Sequence, residues 1–381
     1  MNFDLSEEQL LLRTSLSRFV GDTYQSKLRR AQRTESLDAK RQRWRKLADL
    51  GVLSLAFAEN DGGLGGGAVD IGVVAEVFGT GLVCEPFYST VLLAGGLVAA
   101  EGSDQQKHNV LAPVMGGEHW LALAWAERDA RFDLAHVHTT ARRQGSDFIL
   151  EGTKTLVLDG GLADAFVVVA RTSGATTSSQ GLSAFLVPAG VAGLMRRGYV
   201  LADGSRPCEL QLSSVRVPAA HLVGRENEFH LPLETAVTRT CVALCSEAVG
   251  LASAVFEITL EHLRTRKQFG TTLGSFQAIQ HRMAEACLSL EQARSITLKA
   301  MLADPADRAA WLRIANGAKA LVSRAALHIA EEAVQFHGAM GITEDLAVGE
   351  YLKRVHVIAT LFGNPPAHLD RVNALATEGA A

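Results

Sequence analysis

Long apolar runs are what this sequence most plainly lacks. No stretch reaches the roughly 18 residues that suggest a membrane-spanning helix, and no internal repeat is found. A large net charge is missing too. The formal charge is -4 and the pI about 6.3, which argues against nucleic acid or an anionic membrane surface as the main partner. Cysteine is scarce. Cys84, Cys208, Cys241, Cys245 and Cys287 show no metal-ligand spacing, so no metal site is expected. Their odd number fits no disulfide framework and suits a reducing cytoplasm. The acidic start, Met1-Asn2-Phe3-Asp4-Leu5-Ser6-Glu7-Glu8, does not read as a signal peptide.

What is present is apolar content in short, patterned segments. The chain has 381 residues, 48% hydrophobic and 20% charged, enough for two or three packed domains. Residues 1–117 read as helical. Ser6 and Gln9 form a capping-box pattern, Leu12, Leu16, Phe19 and Val20 fall at helical spacing, and Trp44, Leu47 and Leu50 repeat it until Gly51. The Gly-rich run from Asn60 to Gly67 tempts one toward a phosphate loop. Its G-x-G-x-x-G frame, however, ends on Ala68 and no β-rich run precedes it, so a crowded helix–helix loop is expected. Residues 118–227 switch to short apolar runs separated by Gly, Ser and Asp, the signature of a small β domain. Within it, Glu127 to Arg131 reads as a charged loop, solvated or functional, and Thr172 to Gln180 as a mobile turn. Residues 228–381 return to helical periodicity. Val242, Cys245, Val249, Ala252, Phe256, Leu260 and Leu263 advance by three and four, and two further long helices and a last one carrying Tyr351, Lys353, Arg354 and His356 complete a bundle.

Two stretches in that last third carry chemistry. Arg264 to Gly270, followed by Ser275 to His281, brings together two arginines, a lysine, an aromatic and several glutamines. A capped helix end accounts for the cations. The amides of Gln268, Gln277 and Gln280 go beyond a cap and suit a ligand with phosphates and a polar heterocycle. The second stretch is Gln335-x-x-Gly338-x-x-Gly341, whose glycines read either as a helix C-cap or as a close backbone approach to an anion.

The order α, β, α, with Arg266-Lys267-Gln268-Phe269-Gly270, Gln277 and the Gln335 turn, resembles the acyl-CoA dehydrogenase family over essentially the full length. The resemblance implies a mainly α fold with a central β domain: a helical N-terminal domain, a β-barrel-like middle domain and a C-terminal four-helix bundle. It also implies FAD, acyl-CoA as substrate, α,β-dehydrogenation, an electron-transfer flavoprotein as acceptor, and an oligomer whose flavin lies between subunits. Carried over by position, Arg266 would contact the diphosphate of a neighbouring subunit's FAD, Phe269 the adenosine half and Gln277 the adenine end. Gln268 belongs to the same motif. Gln335, with the backbone at Gly338 and Ala339 before Gly341, would hold the diphosphate from the other side.

The family's base is a glutamate in one of two places. Counting 27 positions on from Gln335 gives Phe362, and counting 30 back from Gly270 gives Thr240; neither is a base. Glu247, on the same helix as Thr240, is a weak substitute that reads more naturally as a paired carboxylate, and Asp159 is weaker still. The flavin-ring motifs have also gone. Ala126-Glu127-Arg128-Asp129-Ala130-Arg131-Phe132 and Leu156-Val157-Leu158 stand where the family carries hydroxyls. This split loss resembles the small, base-lacking subunits of heteromeric bacterial acyl-CoA dehydrogenases, such as that of pimeloyl-CoA dehydrogenase, and the subunits of steroid side-chain dehydrogenases. In such an α2β2 complex a larger subunit supplies the glutamate. A homomeric dehydrogenase with an unusual base and a flavin monooxygenase on the same fold are the alternatives. The acyl group is open.

Overall fold

The computed structural model describes residues 4–24 and 35–378; Met1 to Phe3 of the acidic start lie outside them. Two compact units emerge. One comprises the described residues of Met1–Thr34, Gly67–Val83 and Cys241–Ala381; the other comprises Glu35–Gly66 and Cys84–Thr240.

In the first unit, helix α1 (Glu7–Thr23) starts on the Ser6/Gln9 capping box and buries Leu16 and Val20. The Gln9 amide donates to Asp70 at 3.0 Å, on a helix running Ala68–Gly81. That helix meets the 36-residue helix His230–Thr265 backbone to backbone. A Cβ on Gly79 would lie 2.1 Å from the Glu247 carbonyl, and one on Gly250 2.0 Å from that of Glu76, so only glycine fits at either contact. The long helix contains an 18-residue window apolar enough for a membrane span by composition, which the run-by-run reading overlooks. It is a core helix, with 72% of that window buried. The helices Gln277–Met301, Arg308–His337 and Val348–Thr360 follow. The one carrying Tyr351 is not the last: Pro365–Glu378 forms another, opened by the Asn364 side chain accepting from the Ala367 N–H at 3.0 Å, with proline at its first position.

The second unit holds an eight-stranded sheet. Numbered in chain order, its strands are β1 (Leu121–Ala124), β2 (Thr140–Gln144), β3 (Asp147–Val157), β4 (Ala165–Arg171), β5 (Leu182–Pro188), β6 (Leu194–Gly198), β7 (Cys208–Pro218) and β8 (Leu222–Val223). The order is β6-β7-β3-β2-β4-β5-β8, with β1 pairing parallel to β4. Phe148, Leu150, Phe166, Val168, Phe185 and Leu210 fill its core. The helical part of this unit includes Leu37–Asp49, whose Trp44 meets Trp120 edge-on at 6.4 Å. The Gly-rich loop is crowded as expected: a Cβ on Gly63 would fall 2.1 Å from the Phe57 carbonyl oxygen.

Two buried charges correct the reading of this domain's loops. Arg171, at the end of β4, donates to the carbonyls of Ala135, Val137, Ser173, Thr176, Ser178 and Gln180 at 2.6 to 3.4 Å. The Ser/Thr/Gly stretch from Thr172 to Gln180 is therefore wrapped around a guanidinium, not a loose turn. Glu127 is not on a solvated loop either. It is 7% exposed and accepts from the N–H groups of His138 and Thr139 and from Lys154 Nζ at 2.7 Å. Burial pushes its carboxyl up, but Lys154 and Thr139 outweigh burial and hold it below the usual range. Lys154 is fully buried, and that desolvation pushes its ammonium down to about 8 despite Glu127.

Arg171→Met should strip six carbonyls of their donor and cost at least about 3 kcal/mol in urea unfolding. Lys154→Met should cost about 3–5 kcal/mol at neutral pH by leaving Glu127 buried and unpaired. Lys154 loses its proton near pH 8 in the fold and near 10.5 when unfolded. The unfolded chain thus binds more protons in that window, so the advantage of wild type over Lys154→Met should grow from pH 8 to 10.5.

Candidate functional site

The Arg264-to-His281 stretch is built differently from the capped helix end its composition suggests. The long helix stops at Thr265, and Lys267–Gln268 pairs antiparallel with Thr271–Thr272. Only Phe269 and Gly270 lie between, with φ of 54° and 83°. Positive φ at both central residues is the two-residue hairpin turn that matches strand twist. Glycine occupies the second position without strain. Phenylalanine at the first is a costly choice, on the order of 1–3 kcal/mol for a bulky residue held left-handed. Its ring is 92% exposed, touching only the edge of Phe276 at 6.3 Å.

The other predicted residues surround this hairpin or its neighbours. Arg266 is exposed and has no ion-pair partner among the described residues; its carbonyl accepts from Leu273 N–H at 2.9 Å. The Gln268 amide reaches only the adjacent Lys267 carbonyl. Gln277 opens the helix Gln277–Met301 and is exposed. Gln280 has a structural use, its amide donating to the Gly274 carbonyl at 2.9 Å. Gln335 is exposed in the last turn of Arg308–His337, which Gly338 ends at φ 59°, with Ala339 exposed beside it. Nothing lies within 4 Å of where a Cβ on Gly338 would be, so the backbone there is open to approach. Gly341 is buried, 2.9 Å from the Val334 carbonyl by the same measure.

Packing joins the two motifs. Leu263, Met283 and Phe336 form one apolar cluster with Leu260, Leu273 and Ile279 against it. His262 stacks on His337 at 4.2 Å, and the Arg282 guanidinium lies 4.7 Å over the Phe336 ring while pairing with Glu332. The hairpin, the start of one helix and the end of another therefore share one end of the first unit. Burial, with His337 and Arg266 as further causes, lowers the His262 imidazole below its ordinary value. The residues at this end fit a diphosphate and an adenosine: a guanidinium without a carboxylate, exposed amides, an exposed ring and an open glycine.

No base stands at either family position. Thr240 is fully buried, its hydroxyl donating to the Ala236 carbonyl at 2.8 Å. Phe362 is 6% exposed at φ 60°, its carbonyl accepting from Arg371 at 3.2 Å. Glu247, the weak substitute, is engaged elsewhere. It is 0% exposed and held by Arg354 through both oxygens, at 2.6 and 2.8 Å, as a buried ion pair. Sequence reasoning missed its partner. Arg354 and Tyr351 are both inward, Tyr351 donating to the Thr80 carbonyl at 2.6 Å. The one signal was helical spacing: Tyr351 and Arg354 are three apart on an apolar helix face. Asp159 accepts from the Ser89 hydroxyl at 2.6 Å. Leu156, which the resemblance sets against the flavin ring, is 38% exposed at φ 47° with a hydrocarbon side chain.

Comparison with known proteins agrees along the chain. Residues 6–118, 122–215 and 233–374 match the N-terminal, middle and C-terminal domains of acyl-CoA dehydrogenase. The probable acyl-CoA dehydrogenase YngJ of Bacillus subtilis (strain 168) is 27% identical over 361 residues, 93% of each chain. Among solved structures, the ChsE4-ChsE5 complex from Mycobacterium tuberculosis is similar with a TM-score of 0.88 at 25% identity, covering 99% of each chain. The Tcur3481-Tcur3483 steroid ACAD is similar with 0.86 at 27%, covering 98% of this chain and 99% of that one. With three consecutive domains matched, the chain belongs to the acyl-CoA dehydrogenase family, FAD-dependent oxidoreductases that act on CH–CH groups.

Proposed function

We propose that this chain is the base-lacking subunit of a heteromeric acyl-CoA dehydrogenase, α2β2 in composition, that contributes the adenosine and diphosphate half of an FAD site. The observation that carries the reading is the asymmetry within one cofactor site. Arg266, Phe269, Gln277 and Gln335 are retained and exposed, while Phe362 and Thr240 occupy both base positions and Leu156-Val157-Leu158 replaces the ring contacts. In this reading Arg266 would hold the diphosphate and Phe269 the adenosine, with Gln268 and Gln277 beside them. Gln335 and the backbone from Gly338 to Gly341 would complete the grip. FAD supplies the hydride acceptor. A larger subunit carrying the glutamate would remove the α-proton of the acyl-CoA, and an electron-transfer flavoprotein would take the electrons. The strained Phe269 supports the assignment, because backbone strain of this kind clusters at ligand clamps and other functional sites. Two of the similar structures bear names of two-protein complexes, which is compatible with a partner. Self-sufficiency through Glu247 is disfavoured by its Arg354 clamp. A monooxygenase would still need the ring contacts that Leu156-Val157-Leu158 does not offer.

Purified alone, the chain should carry well under one FAD and oxidise acyl-CoA no faster than background with an artificial electron acceptor; robust activity without a partner would overturn the proposal. Phe269→Asn separates the hairpin's stability from its use. Asparagine tolerates the left-handed turn, so thermal stability should hold or rise, while FAD affinity by fluorescence titration should fall about fivefold or more with the lost stacking.

A further inference from the structure

The segment clamped by Arg171 and Glu127 carries two histidines that the proposed function leaves unused. Ala135, Val137 and Thr139 are buried at 7%, 1% and 1%, and His136 and His138 alternate with them on the outer side. Their Nε2 atoms are 3.0 Å apart, with ring centroids at 4.9 Å and planes inclined by 50°. The backbone between them is fastened from below. The Ala135 and Val137 carbonyls accept from Arg171 at 2.6 and 3.1 Å, the Val137 N–H donates to the Thr176 carbonyl at 3.0 Å, and the N–H groups of His138 and Thr139 donate to Glu127 at 2.7 and 3.0 Å. Two imidazoles thus stand side by side on an immobilised strand-like segment.

The geometry points to a chelating site for one divalent transition-metal ion, bound through Nε2 of His136 and Nε2 of His138. Imidazole nitrogens bind such ions at about 2.0–2.1 Å, so two on one ion at a right angle lie about 2.9 Å apart, and at the tetrahedral angle about 3.3 Å. The observed 3.0 Å lies between these two values, within the span of one ion. Among the described residues no group of three or more His, Cys, Asp or Glu is placed to hold an ion. Water would fill the remaining positions, which makes this an open, exchangeable site and not a closed structural one. The clamped backbone lowers the ordering cost that usually weakens two-ligand chelates.

The alternative is a hydrogen bond between two neutral imidazoles, and metal titration tells them apart. Isothermal titration of the full chain with NiSO4 should show one saturable equivalent. His136→Gln and His138→Gln should each weaken it at least about tenfold, and the double variant should abolish it, with thermal stability in EDTA confirming that all are folded. The chain has 12 histidines, so the difference between variants is the decisive quantity. With one equivalent of Cu2+, electron paramagnetic resonance should show coupling to two nitrogens in wild type. No saturable binding, binding that survives the double substitution, or a spectrum without two-nitrogen coupling would overturn the proposal.

Discussion

The exposed polar motifs at this end of the first unit depend on one apolar contact, that of Leu263 with Met283 and Phe336. Each of these residues is adjacent to a motif that bears polar groups: the hairpin of Arg266, the helix opened by Gln277, and the turn begun by Gln335. None of those polar groups bonds to another motif. Their placement at one end of the unit comes from hydrocarbon behind them, reinforced by the His262–His337 stack and by Arg282 over Phe336. Rigid apolar support beneath exposed polar ligands is how a surface meets a charged cofactor without collapsing onto itself.

Buried charge is used throughout for holding, and that decides several roles. Arg171 gathers two loops by their carbonyls. Glu127 and Lys154 fasten the segment after β1 to β3. Glu247 and Arg354 lock two helices of the first unit. In each case the charge is met by direct hydrogen bonds, and a carboxylate held at both oxygens is committed to its partner. The carboxylate that a reader of the sequence would most naturally recruit for chemistry is thus the one the fold has already engaged.

The backbone carries its own signal. Phe269, Leu156 and Phe362 all sit at positive φ, where large L side chains are disfavoured. All three stand at positions that the family resemblance assigns to cofactor or base motifs. At Phe269 the ring is presented outward. At Phe362 it is turned in, with Gly363 at φ 140° and the His368 ring 2.7 Å from where a Cβ on Gly363 would be. Arg371 on the Phe362 carbonyl and the Asn364 cap hold this loop independently of the side chain at 362.

Periodicity alone determined the helices and the short strands, because a face that must be buried repeats at 3.6 or 2 residues wherever it occurs. Composition and glycine chemistry determined that the Asn60–Gly67 loop is crowded backbone and no phosphate cradle. Counting from Gly270 and Gln335 leads to Thr240 and Phe362, where the family resemblance implies a base. Only the tertiary structure decided the rest. Two-residue strands have no period to read, so the Phe269 hairpin was hidden behind the look of a helix cap. The helix Pro365–Glu378 was not among those that the periodicity marked. Glu247 and Arg354 are 107 residues apart and Glu127 and Lys154 are 27 apart, distances at which no local pattern records a partner. Local patterns record what a residue's own helix or strand must bury, whereas pairings between distant charges exist only once the chain has closed on itself.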